Sequence, residues 1–326
     1  MSAHTADVVL TTARYGKDKV RVFRVKRESD GVHYIVEYNV SLLIEGDIDV
    51  SYTKADNSVV VATDSMKNIT YYLAKVSDYI LVPEHFALHL GTHVLSKYAH
   101  LRKASITIEQ LRWTRITVSG QDKPHAHAFH RDGDDKRVIQ VVLEKTDGKS
   151  LSAKVTAGIT DLLVLKSTGS AFEGFIRDEY TTLVEVPDRI LSTSVDLEYH
   201  FAPVSIPVPT DPKLLDFSIP KNLGEVKGTV WDALGVAERA RQCTLDLFAT
   251  DESASVQATL FKMGERVITE NAGVDQATYK LPNKHYIPVD MSYLGVDNLT
   301  PATAEVFVPV AAPSGLISAT ISRKQA

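Results

Sequence analysis

The sequence predicts an α+β fold in which strands and helices form two similar halves. In residues 1–147, two strand-like runs come first, two stretches with helical spacing follow, and two further strand-like runs end the half. The same order of elements recurs in residues 148–326. We therefore expect two tandem domains, 1–147 and 148–326, each an antiparallel four-stranded sheet with two helices on one face.

The elements of the first half are each indicated by a local pattern. Two strand-like runs between Val20 and Ile44 are joined at Ser29-Asp30-Gly31, which predicts a hairpin. A helix is predicted by apolar residues at helical spacing, with Asp64 or Ser65 as its cap: Met66, Ile69, Leu73 and Val76. A second helix opens at Pro83 and carries an apolar stripe: Phe86, Leu90, Val94 and Tyr98. Strands are predicted around Ile106–Ile108 and over Val138–Leu143.

The second half repeats this order. Strands are predicted over VTAGITDLLVLKS and Leu191–Phe201, and a proline-rich connection follows them. Two helices come next, the first marked by Val230, Leu234, Ala237, Leu245 and Phe248, the second by Val256, Leu260, Met263 and Val267. Two closing strands are predicted over Gln276–Met291 and Ala304–Ile321.

Composition excludes several classes of protein. The chain has 326 residues, of which 44% are hydrophobic and 24% charged, as in globular proteins. Its net charge of -5 argues against nucleic acid as a partner. The single cysteine, Cys243, excludes an internal disulfide framework, indicates a reducing compartment, and is expected inside a helix as a small apolar residue.

Three further features of the sequence bear on its location. No apolar run is long enough to cross a membrane, and the amino terminus lacks the layout of a signal peptide. The chain ends Lys324-Gln325-Ala326, which is not a Ser-Lys-Leu type of peroxisomal signal. We therefore expect a cytoplasmic protein without a membrane partner.

Two groups of histidines could in principle bind a metal. His85, His89 and His93 are spaced four apart on the second predicted helix, and His125, His127 and His130 lie in HAHAFH, where the first two would share a strand face. Neither group is accompanied by an acidic residue at metalloenzyme spacing. We interpret the first group as surface or subunit contacts and predict no metal site.

The stretch from Leu165 to Thr193 contains the residue types that bind a flat anion. A ring could stack on Phe172, pack its edge on Leu183, and accept paired hydrogen bonds from the guanidinium of Arg189. The residues alone also allow a plainer interpretation, in which Phe172 is a core residue and Arg189 forms a solvated ion pair with Asp188.

Two predicted helix starts and one strand add candidate ligand groups. Thr63-Asp64 and the segment Ser253–Gln257 lie at helix starts, where free N–H groups favour anionic ligands, although Thr63 and Ser253 could be ordinary caps. The Gln257 amide has a donor and an acceptor, which suits the N–H/C=O edge of a purine or pterin. Strand alternation places Asn283 and His285 on the same face, either lining a site or facing solvent.

Five blocks of sequence carry a resemblance to a known family. They are RYGKDKV from Arg14, YTKADNSVVVATDSMKN from Tyr52, the stretch from Leu165 to Thr193, SASVQAT from Ser253, and LPNKHY from Leu281. In these blocks, in this order, the chain resembles the urate oxidase (uricase) family. The resemblance implies tandem tunnelling-fold (T-fold) domains in a homotetramer around a central tunnel. Glu173 and Val186-Pro187 depart from the family pattern, which puts the local loop shape in doubt.

The resemblance also implies which residues act and what they do. The urate-binding residues would be Phe172, Leu183, Arg189, the backbone N–H of Val256, Gln257 and Asn283, with Thr63 and Asp64 contributed by a neighbouring subunit. Lys17, Thr63 and His285 would form a proton relay. The reaction would convert urate, dioxygen and water to 5-hydroxyisourate and hydrogen peroxide without any cofactor.

Two other functions are compatible with the residues. A T-fold pterin or GTP-cyclising enzyme would share the architecture but would commonly need a zinc ion or a carboxylate that anchors the ring. A purine-binding scaffold without catalytic activity would bind a urate analogue but would not consume urate. Activity on urate in the presence of a chelator would exclude the first, and peroxide production would exclude the second.

Overall fold

The structure is a computed structural model that describes residues 8–146, 148–220, 222, 226–301 and 303–324. It is an α+β protein built on antiparallel sheet. The chain forms two compact units: unit 1 comprises Met1–Asp132, Val138–Val155 and Pro203–Ile219, and unit 2 comprises Gly133–Arg137, Thr156–Ala202 and Pro220–Ala326. Residue 147, where the first predicted domain ends, and Gln325-Ala326, used above to predict location, lie outside the described residues.

The first part of the chain contains six strands and three helices within the described ranges. They are β1 (Tyr15–Arg27), β2 (His33–Gly46), α1 (Asp49–Thr53), α2 (Thr63–Val76), α3 (Pro83–Lys97), β3 (Leu101–Leu111), β4 (Thr114–Arg115), β5 (Phe129–His130) and β6 (Lys136–Lys145). The predicted hairpin, both helices and both later strands are therefore confirmed. The sequence patterns did not indicate α1 or the short pair β4–β5, which have too few residues for a periodicity.

The second part contains the remaining elements. They are β7 (Ser150–Lys166), β8 (Leu191–Phe201), β9 (Val204–Pro207), α4 (Ala233–Thr250), α5 (Val256–Glu270), β10 (Val274–Pro288), β11 (Phe307–Val310) and β12 (Leu316–Ser322). Short 3₁₀ helices precede α4, at Val230–Asp232, and follow β10, at Ser292–Leu294. Cys243 is buried within α4, as predicted. None of the helices in the described ranges meets the length and hydropathy needed to cross a membrane.

In unit 1 the core lies where alternate residues of β2 face the helices. Its buried side chains are Val36, Tyr38, Val40, Leu42 and Ile44, while their neighbours along the strand are more exposed. Each such aliphatic side chain contributes about 1.5–3 kcal/mol by its removal from water. Helices α2 and α3 contact each other and pack on β1 and β3 respectively.

In unit 2, strand β8 lies between β7 and β10, and both pairings are antiparallel. The single closing strand predicted over Ala304–Ile321 is wrong, because β11 and β12 are separate strands that pair with different parts of β10. Val310 is opposite His285 and Leu316 is opposite Pro282, so five residues of the returning chain face only two residues of β10. Pro313 and Gly315 lie among these five residues, where they interrupt the strand.

The same backbone irregularity occurs in β1 and in β7. In β1, Gly16 approaches β2 so closely that a Cβ atom would lie 1.9 Å from the Leu42 carbonyl oxygen, and an extra residue is inserted between Lys17 and Val20. In β7, Gly158 approaches the Leu197 carbonyl oxygen at the same distance, and an extra residue is inserted between Ile159 and Leu162. The two strands therefore bend in the same way, and Lys17 occupies the position that Ile159 has in the second strand.

Candidate active site

The backbone of two loop segments brings Phe172 and Arg189 together in unit 2. The N–H of Phe172 donates to the Val186 carbonyl over 2.9 Å, and the N–H of Val186 donates back over 3.1 Å. The N–H of Arg189 donates to the Ser170 carbonyl over 2.8 Å. As a result the guanidinium carbon of Arg189 lies 4.9 Å from the centroid of the Phe172 ring.

Asp188 bonds to the backbone and to Thr168, and within the described ranges it leaves Arg189 without a carboxylate partner. Its Oδ1 accepts from the N–H groups of Gly169 over 2.7 Å and Ser170 over 3.1 Å, and its Oδ2 accepts from the Thr168 hydroxyl. The hydrogen bond from Thr168, with those from the backbone, lowers the pKa of the Asp188 carboxyl. The solvated Asp188–Arg189 ion pair considered above is therefore wrong.

Arg189 is half-buried, and in the described part of the chain it has no ion pair. Its burial lowers the pKa of its guanidinium from the ordinary value. A partly desolvated cation without a partner is costly, and an anion that accepts from its planar N–H groups would offset that cost. This arrangement is typical of an anion-binding arginine.

Two groups lie against the Phe172 ring in this structure. Phe175 stacks on it with the ring centroids 4.8 Å apart and an interplanar angle of 14°, while Arg189 lies over the ring as described. A ligand that stacks on the face covered by Phe175 must therefore displace that ring. Leu183, on the same loop, is 49% exposed, and its carbonyl accepts from Arg177 over 2.8 Å.

A cavity of about 610 Å³ in unit 2 is lined by Arg189, Asn283 and His285. Arg189 lies two residues before β8, which pairs with β10, and Asn283 and His285 lie on β10 two residues apart. Lys284 and Tyr286 line the same cavity, so the prediction that alternation directs Asn283 and His285 to one face stays a prediction. The remaining wall is largely apolar and includes Ile190, Tyr286 and Phe307.

The start of α5 lies beside the segment that carries Phe172. The N–H of Ala171 donates to the Ser253 carbonyl over 2.9 Å, and the N–H of Ser253 donates to the Gly169 carbonyl over 3.0 Å. The prediction of Ser253 as the cap is wrong: Ser255 is the cap, and its hydroxyl accepts from the Ala258 N–H over 3.1 Å. Ser253 is buried instead and accepts from the Thr259 hydroxyl. The Gln257 side chain is exposed at the second position of the helix.

The remaining predicted residues, Lys17, Thr63 and Asp64, lie close together in unit 1. The Val61 N–H donates to the Tyr15 hydroxyl over 2.7 Å, which fixes β1 beside the start of α2. The predicted caps are wrong here too, because α2 begins at Thr63 and its N-cap is Ala62, which offers no side-chain acceptor.

The Asp64 carboxylate is held by its own helix. It accepts from Lys67 over 2.5 Å and from Asn68 over 2.9 Å. Its pKa is lowered chiefly by the hydrogen bond from Lys67, with a smaller contribution from the charge of Lys17. Lys17 is therefore close enough to Asp64 for their charges to interact.

Each unit thus assembles one set of the predicted residues. Unit 2 brings together Phe172, Arg189, Asn283 and His285, with Val256 and Gln257 at the neighbouring helix start, and unit 1 brings together Lys17, Thr63 and Asp64. Sequence reasoning missed the role of Asp188 in ordering the loop before Arg189. The signal was the Ser-Thr-Gly-Ser turn at residues 167–170, whose N–H groups need acceptors.

The histidines of α3 are not surface contacts, so that interpretation is wrong. His85, His89 and His93 are 3%, 4% and 6% exposed. The Nδ1 of His89 bonds to the Ser77 hydroxyl over 2.9 Å, and the Nδ1 of His93 bonds to the Leu214 carbonyl over 3.0 Å. Burial lowers the pKa of His89 to about 4.

The second histidine group also differs from the prediction. His125 and His127 do not share a strand face, because β5 contains only Phe129 and His130. The rings of His125 and His127 instead pack edge-on, with their centroids 4.5 Å apart. Within the described ranges no three His, Cys, Asp or Glu side chains come close enough together to hold a metal ion.

Comparison with known proteins identifies relatives along almost the whole chain. The model of the Uricase family matches residues 13–142 and 155–318. The uricase of Emericella nidulans is 46% identical over 317 residues, which cover 97% of each chain. The uricase of Aspergillus flavus is 45% identical and covers 95% of this chain and 96% of its own.

Comparison of folds agrees with the sequence relatives. The crystal structure of uricase from Arthrobacter globiformis superposes with a TM-score of 0.80 at 33% identity, covering 98% of this chain and 96% of that one. Family match, relatives and fold all extend over both units. This chain belongs to the uricase family.

Proposed function

We propose that this protein oxidises urate with dioxygen and water to 5-hydroxyisourate and hydrogen peroxide, without a metal ion or flavin. As a member of the uricase family it is a urate oxidase. The observation that carries the substrate assignment is the half-buried, unpaired guanidinium of Arg189 at a cavity that Asn283 also lines, beside the ring of Phe172. A planar purine anion has the charge, the flat face and the polar edge that these three groups would bind.

The proposed binding site is formed mainly by unit 2. Urate would stack on Phe172 in place of Phe175 and would pack against Leu183. Arg189 would bind one end, while Gln257 and the backbone N–H of Val256 would bind the opposite edge. The Val256 N–H has no acceptor within the described residues and lies at the positive end of α5, which supports this role.

We further infer that the site is completed across a subunit interface. Thr63 and Asp64 of a neighbouring subunit would reach the same urate, in a homotetramer of tandem T-fold domains 1–147 and 148–326. Asp64 is exposed at the start of α2, which leaves its side chain accessible to a neighbouring subunit. The buried thiol of the single cysteine supports the cytoplasmic location that the sequence predicts.

Three residues would move protons during the reaction. Lys17 would take a proton from urate, directly or through the hydroxyl of Thr63, and His285 would pass protons onward. Asn283 and Thr63 would hold dioxygen, and then water, above the stacked ring. The neighbourhood of Lys17, Thr63 and Asp64 in unit 1 supports a shared role for these residues.

One experiment tests this function directly. The purified protein is given urate in air, and both the loss of urate absorbance and the formation of peroxide are followed, with and without a chelator. We expect equal rates of both in the two samples. Full activity with the chelator would exclude the pterin or GTP-cyclising alternative, and binding without consumption of urate would favour the scaffold.

A further inference from the structure

The hydroxyl of Thr193 is buried without a hydrogen-bond partner in the part of the chain that the structure describes. Thr193 is 2% exposed, and its Oγ1 forms no hydrogen bond with the described residues. Unpaired buried polar groups are uncommon in folded proteins and are unfavourable. By contrast, Ser192, the preceding residue, donates its buried hydroxyl to the Val164 carbonyl over 3.0 Å. The Ser192 hydroxyl is paired, whereas the burial of the unpaired Thr193 hydroxyl requires an explanation.

Thr193 is directly opposite Asn283 across the β8–β10 pairing. The N–H of Asn283 points the other way and donates to the Gly315 carbonyl over 2.7 Å. Thr193 and Asn283 therefore form a non-hydrogen-bonded pair, in which side chains on the same face approach most closely, with Cβ atoms about 4.5–5.5 Å apart. The threonine hydroxyl and the asparagine amide are thus neighbours.

From this pair towards the start of β10, away from His285, the face carries aliphatic and aromatic side chains. Successive positions along the two strands pair Leu197 with Tyr279 and Tyr199 with Ala277. The Tyr279 hydroxyl on this face bonds to the Thr244 hydroxyl over 2.7 Å, and Tyr199 carries a second buried hydroxyl. A valine at position 193 would fill the same volume without an unpaired hydroxyl. The Thr193–Asn283 pair lies at the end of this buried face, beside the cavity that Asn283 lines.

An asparagine amide has a donor end and an acceptor end of almost the same shape. Packing alone does not determine which end faces a ligand, whereas a hydrogen bond to one end does. The structure does not show a hydrogen bond between these two side chains, but rotation about their side-chain bonds would form one. A Thr193 hydroxyl that then donates to the Asn283 Oδ1 would leave both N–H groups of the amide directed to the cavity. Oxygen species bound there would be acceptors.

We infer that Thr193 is a positioning residue that orients the Asn283 amide with its Nδ2 towards bound dioxygen or water. This inference rests on the proposed function, because it is that function which gives Asn283 its oxygen ligand. Thr193 itself does not contact the substrate in this arrangement. Its effect should therefore appear in turnover and not in urate binding.

The test compares Thr193→Val, which removes the hydroxyl at constant shape, with Thr193→Ser, which restores it. We expect the valine variant to lose about tenfold in kcat, the effect of one hydrogen bond, with the KM for urate and the Kd for xanthine within about twofold of wild type. Xanthine serves as the binding probe because it lacks the oxygen at C8. The serine variant should recover most of the turnover, and Thr193→Ala should behave as the valine variant does.

The matched control is Thr244→Val, which removes a buried hydroxyl elsewhere in unit 2. Its hydroxyl donates to the Ala240 carbonyl over 2.8 Å and bonds to Tyr279. This variant should lower the melting temperature and leave kcat within about twofold of wild type. In an Asn283→Ala background, Thr193→Val should have almost no further effect on kcat, because the amide it orients is absent.

Two results would overturn the inference alone: wild-type kcat in a folded Thr193→Val protein, or an undiminished effect of that change in the Asn283→Ala background. Failure of the wild-type protein to consume urate would instead overturn the proposed function, and this inference with it.

Discussion

The guanidinium carbon of Arg189 lies 4.9 Å from the centroid of the Phe172 ring, and the neighbouring carboxylate of Asp188 is bonded elsewhere. The cation is thus held against an aromatic face without being neutralised. Arginine stacks well on aromatic rings because its guanidinium is planar and weakly hydrated. An anion that approaches the edge of the guanidinium would meet N–H donors that are already oriented and only partly solvated.

The first prediction concerns this guanidinium. Arg189→Ala should weaken xanthine binding by at least about 30-fold, since charge-assisted hydrogen bonds contribute about 1.5–3 kcal/mol each. Arg189→Lys should recover only part of this loss, because an ammonium group lacks the planar pair of donors. Titration calorimetry measures both. Equal affinities of the alanine variant and wild type would remove Arg189 from the site.

The second prediction separates chemistry from binding. Lys17→Met should lower kcat by about 100-fold or more, the usual range for a proton-transfer group, while xanthine binds within about twofold of wild type. Lys26→Met is the matched control, because Lys26 lies on the same strand and, among the described residues, pairs only with Glu28 at the surface, over 3.2 Å. Near-normal turnover of the Lys17 variant would reject the proposed relay.

The third prediction concerns the ring that covers Phe172. Phe175→Leu should tighten xanthine binding by about 2- to 10-fold, because the ligand no longer has to separate an aromatic pair worth about 0.5–1.5 kcal/mol. Phe23→Leu, a change at a ring that is 57% exposed in unit 1, should leave the affinity unchanged. Weaker binding by the Phe175 variant would instead mean that Phe175 contacts the ligand.

The fourth prediction is a dependence of stability on pH. Burial lowers the pKa of His89 to about 4, against an ordinary value of 6.5. Well above pH 6.5 the His89 ring is neutral in both the folded and the unfolded state, so its titration does not lower the free energy of unfolding. As the pH falls to about 4, the unfolded chain binds a proton that the folded protein excludes, so the free energy of unfolding falls by about 3 kcal/mol.

Urea titrations between pH 7 and pH 4 measure this fall. His89→Gln should show a smaller fall than wild type, whereas His130→Gln, at an exposed position, should show the same fall as wild type. Parallel curves for wild type and the His89 variant would contradict the prediction.

The fifth prediction concerns the bend in β1. Gly16→Ala should lower the free energy of unfolding by about 2 kcal/mol or more, because its Cβ atom would overlap the Leu42 carbonyl oxygen at 1.9 Å. Gly315→Ala is the control, since nothing lies within 4 Å of the added atom. Thermal unfolding compares the two variants. If the Gly16 variant were as stable as wild type, the close approach of β1 to β2 would be refuted.

The sequence predicted those elements whose patterns are long and local. The strand over Leu191–Phe201 is observed with the same ends, and Phe86, Leu90 and Val94 are buried along α3 as their spacing indicates. The capping residues of α2 and α5 were predicted wrongly, because several Ser, Thr or Asp residues lie close together around each of these helix starts and periodicity cannot choose among them. The α3 histidines were assigned to the surface because no local pattern shows that the segment containing Leu214 and Phe217 covers them.

The candidate site was less predictable from the residues than the fold. The cavity near Arg189 depends on the pairing of β8 with β10, which joins residues about ninety positions apart, and single residues carry no signal of such pairing. Only the resemblance to a family placed Arg189 and Asn283 together in advance. The burial of Thr193 and the bonding of Asp188 required coordinates, because both depend on the partner that a side chain meets in the folded chain.

The matching bends in β1 and β7 present different side chains from the same backbone geometry. Lys19 and Asp161, which are not glycines, adopt positive φ values of 53° and 62° at the same place in each bend. Two residues before these positions, one strand carries an ionisable amine at Lys17 and the other an aliphatic chain at Ile159. One local geometry thus serves a charged group in one strand and an apolar group in the other.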